Sequence, residues 1–298
     1  MSDPQAALKD HKATKPFLIA IDSDGCAFDA MEIKHKECFT PNHVKGWNLQ
    51  PISKFVREAA DFVNLYSKWR GINRFPALIK MFDLLAERKE VQERNVTMPD
   101  IPNVRHWVDT EEKLGNPALE AYCAEHNGPE YKDMETLLTW SKAVNETIAD
   151  MVHGVPPFPH VRESLAKAHE HADLLVCSAT PYEALTREWN EHGVAQYVFT
   201  IAGQEQGKKA EHIAFASEGK YESHRVLMMG DAFGDMNAAK ANNALFYPIN
   251  PGHEADSWKR FHDEALDLFL NEQYAGDYEA KVIAEFEALL PETPPWEN

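Results

Sequence analysis

The run FLIAI at residues 17–21 is apolar at every position. Such a strand suits a parallel sheet covered on both faces. A parallel strand needs neighbours, yet no comparable run follows until past residue 170. From Val155 the chain alternates regularly. FPHVRESLAKAHEHA reads as a helix, DLLVCSATP as a strand, YEALTREWNEHGV as a helix stopped at Gly193, and YVFTIAG as a strand. KKAEHIAFASEGK then reads as a helix, HRVLMMGDAFGD as a strand entering an acidic loop, MNAAKANNA as a helix and ALFYPIN as a strand. Alternation of this kind builds crossover units on a parallel sheet. The expected fold class is α/β: a three-layer parallel-sheet core, assembled from residues 16–26 and 154–298.

The residues between, 27–153, are expected to form a large helical insertion. Leu78, Met81, Leu84 and Leu85 recur at the three- and four-residue steps of one helix face, and Pro76 suits a first turn after Gly71-Ile72-Asn73. NPALEAYCAEH and METLLTWSKAVNETIADMVHGV repeat the pattern, with His153-Gly154 as the stop. Residues 1–15 read as a flexible leader.

The formal net charge of −18 disfavours nucleic acid and anionic lipid as partners, since both select basic surfaces. No apolar run approaches the roughly 18 residues of a membrane span. The polar N-terminus lacks the apolar core of a secretory signal. Four cysteines, in no CxxC pair, fit a reducing compartment, so a cytoplasmic location is expected. An anionic ligand could approach so acidic a chain only where a cation cluster or a bound metal reverses the field.

Two acidic clusters stand at predicted strand ends. Asp22-Ser23-Asp24-Gly25 follows FLIAI, and Gly230-Asp231-Ala232-Phe233-Gly234-Asp235 follows VLMM. Each alone is an ordinary turn or helix start. Together with Ser178 after LLVC and Lys208-Lys209 at a helix start, they resemble the four motifs of the haloacid dehalogenase superfamily, in its phosphatase branch. The likeness covers roughly 16–26 and 154–250, and the insertion sits where that family carries its first type of cap. It implies a Rossmannoid core with a large inserted helical cap, and Mg2+-dependent hydrolysis of a small phosphorylated metabolite through an aspartyl-phosphate intermediate.

The chemistry suits these positions. A carboxylate nucleophile divides phosphate-ester hydrolysis into two easier steps, and Asp22, first in its loop, is the candidate. A second carboxyl must protonate the leaving oxygen and later take a proton from water, which fits Asp24. Gly25 lets the backbone turn there. The resemblance implies Mg2+ ligands from the Asp22 carboxylate, the Asp24 carbonyl and Asp231, with Asp235 ordering metal-bound water. It implies a phosphoryl contact from Ser178, with Thr180 the other hydroxyl there, and a neutralising lysine. Lys209 is preferred because KAEHI opens the helix, with Lys208 the alternative.

Cys26 stands where many of these phosphatases have Thr, which leaves the reaction class intact. Because Asp24 is present, the dehalogenase reaction is not expected. His35, Cys38 and His43 match no common zinc spacing. SKWRGINRF gathers Arg70 and Arg74 with aromatic residues in an acidic chain, and its functional reading is a specificity loop for a second anionic group on the substrate. Two other activities fit the same motifs: a phosphomutase, and a non-catalytic phosphometabolite-binding module, against which Asp24 speaks.

Overall fold

The structure is a computed structural model describing residues 3–297. The chain divides into two compact units. One holds the residues up to Met31 together with Gly154–Pro291, and the other holds Glu32–His153 and the segment from Glu292 onward.

In the first unit five parallel strands, β1 (Phe17–Ile21), β2 (Ala172–Cys177), β3 (Thr200–Ala202), β4 (Val226–Gly230) and β5 (Leu245–Pro248), lie in the order β3-β2-β1-β4-β5. Every residue of β1, β2 and β4 is buried. Because side chains alternate along a strand, Phe17, Ile19 and Ile21 enter one apolar cluster with the Val161–His171 helix. Leu18 and Ala20 enter another, with residues of the Lys209–Ser217, Phe233–Ala241 and Asp277–Leu289 helices. The sheet is therefore the middle of three layers. Chain order reverses on either side of β1, and that switch point is where open parallel sheets form a crevice at their carboxyl ends.

Residues 3–15 are not the flexible leader that their polarity suggests, while Met1 and Ser2 lie outside the described residues. Ala6–Lys9 is a short helix with Leu8 buried in the sheet unit's core. Asp173 on β2 accepts hydrogen bonds from the Thr14 and Lys15 amides, at 2.8 and 3.1 Å, and from the Tyr221 hydroxyl at 2.6 Å. A buried carboxylate needs such donors, and the leader supplies two of them.

The second unit is helical. Its longest members are Ser53–Leu65, Arg74–Glu87 and Lys132–Met151. Leu78, Met81, Leu84 and Leu85 all enter its apolar core. Asn73 caps the second of these helices by accepting from the Phe75 amide at 3.0 Å. The boundaries lie a little away from the expected 26–27 and 298. Cys26, Ala27, Phe28 and Ala30 are held by the sheet unit's core, which keeps residues 27–31 there. At the other end Trp296 packs edge-on against Phe62, with ring centroids 5.6 Å apart, and lies 4.5 Å from the Arg88 guanidinium. Glu292 forms an ion pair with Lys68. Among the described residues no helix is long and apolar enough to cross a membrane.

Candidate active site

Register brings the motif residues together. Ile21 pairs with Val176 on one side and Met229 on the other. Asp22 follows at once, its amide donating to Met229 O at 3.0 Å. Ser178 and Asp231 each lie two residues beyond the paired positions. The DSDG segment then turns sharply: the Cys26, Ala27 and Phe28 amides all donate to Ser23 O, and Gly25 takes φ +75°, where a side chain would be strained. Ser23, between the two aspartates, faces elsewhere. Its hydroxyl donates to Glu188 at 3.1 Å and accepts from Trp189 Nε1 at 3.0 Å. Ser23 thus ties the loop to the Tyr182–Glu191 helix.

Asp22, Asp231 and Asp235 are all buried, with carboxylate oxygens within 4.8 Å of one another. Among the described residues this is the one cluster of three potential ligands from His, Cys, Asp and Glu, so His35, Cys38 and His43 form no such group. His35 instead stacks on Phe39, and His43 on Trp140. Gly230 lets the aspartates approach: a Cβ there would lie 2.3 Å from the Asp235 Cβ. Asp235 also accepts from the Ala232 amide at 3.1 Å, closing the first turn of the helix that carries it. A helix-capping part and a place in the acidic cluster belong to the same residue.

The structure separates the two lysines. Lys209 Nζ lies 2.7 Å from Asp22 Oδ2 and 2.5 Å from Asp235 Oδ1, whereas the Lys208 side chain is exposed. Against the cost of its burial, Asp22 and Asp235 hold the Lys209 ammonium charged, its pKa well above the ordinary value. Burial pushes the Asp235 carboxyl up to about 7; Lys209 opposes the rise, and Asp22 and Asp231 add to it. One ammonium does not neutralise three adjoining carboxylates. Oxygen-only donors with excess negative charge are the set a hard divalent cation takes, so the residues fit Mg2+.

Asp24 has a partner that sequence reasoning missed. Thr180 Oγ1 donates to Asp24 Oδ2 at 2.8 Å. Ser178, buried, directly follows β2 with its amide on Ala202 O, and its Oγ accepts from the Thr180 amide at 3.3 Å. The two hydroxyls of SAT therefore have different surroundings. Only the chemical type of Thr180 was available in the sequence, and it pointed as well to phosphate as to a carboxylate.

The arginines of the helical unit also differ. Arg70 is buried and donates to Leu65 O at 2.9 Å, closing the end of the Ser53–Leu65 helix. Arg74 donates to Ser141 and Asn145 and lies over Phe39.

The acidic side chains and the lysine gather at the carboxyl ends of the central strands, the place where open parallel α/β sheets bind their ligands. A family model for haloacid dehalogenase-like hydrolases matches residues 106–247, a span that contains Ser178, Lys209, Asp231 and Asp235. That span belongs to the haloacid dehalogenase superfamily of hydrolases. Among solved structures it is similar to a β-phosphoglucomutase from Clostridium difficile, at 15% identity and TM-score 0.48, over 88% of this chain and 100% of that one. It is also similar to a haloacid dehalogenase-like hydrolase from Streptococcus pneumoniae, at 16% identity and TM-score 0.44, over 91% of this chain and 98% of that one. No curated protein matches the sequence.

Proposed function

We propose that this chain hydrolyses the phosphate monoester of a small metabolite, with Mg2+ as cofactor and Asp22 as the residue that carries the phosphoryl group between two steps. The observation that supports this most is the Lys209 bridge, with one ammonium set between Asp22 and Asp235 beside Asp231. A structural ion pair needs one carboxylate. Here one ammonium meets three carboxylates, so holding a phosphate dianion against a carboxylate nucleophile would need the further positive charge that a bound Mg2+ supplies.

In the first step an Asp22 oxygen attacks phosphorus, and the bond from phosphorus to the ester oxygen breaks. The Asp24 carboxyl gives its proton to that departing oxygen, releasing the alcohol. In the second step Asp24, now a carboxylate, takes a proton from water as the water oxygen attacks phosphorus. Inorganic phosphate leaves, and both aspartates return to their starting states. The Ser23 amide donates to Asp22 Oδ1 at 2.8 Å and Lys209 holds Oδ2, so the nucleophile is oriented through both oxygens. Thr180 holds Asp24 by one oxygen in the same way. Ser178 would bind a phosphoryl oxygen. Asp22, Asp231 and Asp235, with the Asp24 carbonyl, would hold Mg2+; bound there, the ion would screen Asp22 from the phosphate and stabilise charge on the transferring group.

The test is a panel of phosphorylated metabolites with detection of inorganic phosphate, in Mg2+ and in excess chelator. Release that needs the metal is expected. Phosphoryl transfer to a second sugar hydroxyl without release would make the chain a mutase, and binding without either reaction would make it a binding module.

A further inference from the structure

We propose that the helical unit contains an anion-binding site of its own, with Arg74 as its cation, for a carboxylate or other small oxyanion. Arg88, Arg105, Arg225 and Arg260 each form an ion pair with a carboxylate. Arg74 has none among the described residues. Its hydrogen bonds all use Nη1, to Ser141 O and Oγ at 3.2 Å each and to Asn145 Oδ1 at 2.7 Å. Nη2 and Nε make no hydrogen bond among these contacts, and a guanidinium binds carboxylates and phosphates best through two parallel donors.

The placement opposes stability in three ways. Arg74 is the first residue of the Arg74–Glu87 helix, where the helix dipole disfavours a cation. Burial lowers its pKa to about 10, and no carboxylate counters that shift. Its guanidinium lies 5.0 Å from the Phe39 ring centroid, and its polar contacts are all uncharged. At pH 7 it remains charged. A bound anion would answer all three, taking both the guanidinium and the positive end of a 14-residue helix.

A second observation points to a ligand. His43 is 3% exposed, and its Nδ1 has no hydrogen-bond partner. Its ring stacks on Trp140 at 5.1 Å, and Trp140 neighbours the Ser141 that receives Arg74. The imidazole is close enough that the Arg74 charge, after burial, helps keep it neutral. A neutral imidazole can donate one hydrogen bond, which an oxyanion on Arg74 could accept. Asn145, which accepts from Arg74 Nη1, is itself exposed.

The ligand is a small free acid, and the site does not rest on the proposed reaction. Malonate, titrated into the full chain without added metal and followed by calorimetry, tests the site itself. Saturable binding is expected in the wild type, with affinity at least roughly tenfold weaker in Arg74→Gln. Asn145→Asp gives Arg74 an internal carboxylate, so it should bind malonate as poorly while its Tm equals or exceeds that of the wild type. If Arg74→Gln fails to fold, Asn145→Asp decides alone. No malonate binding in the wild type, or wild-type affinity in folded Asn145→Asp, overturns the proposal.

Absence of turnover on every ester would remove the proposed reaction and leave the malonate result standing.

Discussion

Thr180 Oγ1 donates to Asp24 Oδ2 over 2.8 Å, joining the loop after β2 to the loop after β1. A hydroxyl donor holds a carboxyl group in one orientation, which a group that must deliver a proton and then retrieve one requires. Asp24→Asn is expected to lower turnover roughly a hundredfold or more by removing general acid–base help. Esters with poor leaving groups should lose most in the first step. Thr180→Val should show the same leaving-group dependence in milder form. Equal losses on good and poor leaving groups would remove Asp24 from the acid role.

The lysine pair gives a sharper contrast. Lys209 bridges two aspartates, and Lys208 is exposed. Lys209→Met should cost roughly a hundred- to a thousandfold in kcat, the scale of removing one group that stabilises transition-state charge. Lys208→Met should fall within about twofold of the wild type, as an exposed substitution ordinarily does. Steady-state kinetics on one phosphate ester decides between them, and a reversed order would contradict the assignment.

Metal binding can be read without turnover. Mg2+ should raise the Tm of the wild type, because an ion that binds only the folded state stabilises it. Asp231→Asn should shift that response to higher Mg2+ concentration, with its activity following the same shift. A wild-type Tm indifferent to Mg2+ would argue against the carboxylate cluster as its site.

The helical unit should lose stability in mild acid. His43 is buried, and burial, with the charge of Arg74, lowers its pKa to about 3. The unfolded chain takes up a proton near pH 6.5 that the folded chain refuses until about pH 3, so stability is full above the unfolded value and falls as pH falls between them. The slope is at most about 1.4 kcal/mol per pH unit for one such group. His43→Phe keeps a ring against Trp140 and should flatten the Tm profile between about pH 6.5 and 5. An unchanged profile would show that His43 is protonated in the folded state.

Much of the fold was legible because its strands are buried on both faces. FLIAI, LLVC and VLMM are continuous apolar runs, and the acidic residues directly after two of them mark the edge where a parallel sheet places its chemistry. Local pattern could not show how distant groups pair. Thr180 meets Asp24 across 156 positions, and the leader is held by Asp173, a carboxylate on a strand that reads as apolar. Polarity made this segment look mobile, when the Thr14 and Lys15 amides serve as donors to that buried group. Arg70 and Arg74 likewise looked equivalent in SKWRGINRF. Only the fold shows one closing a helix through Leu65 O and the other without a carboxylate.

The most direct test of the central claim is peptide mapping after rapid acid quench during turnover of a phosphate ester. A base-labile phosphoryl group on the peptide carrying Asp22 is predicted, together with its absence, and the loss of phosphate release, in folded Asp22→Asn. A phosphoryl group on any other residue, or phosphate release by Asp22→Asn at near the wild-type rate, would contradict the account.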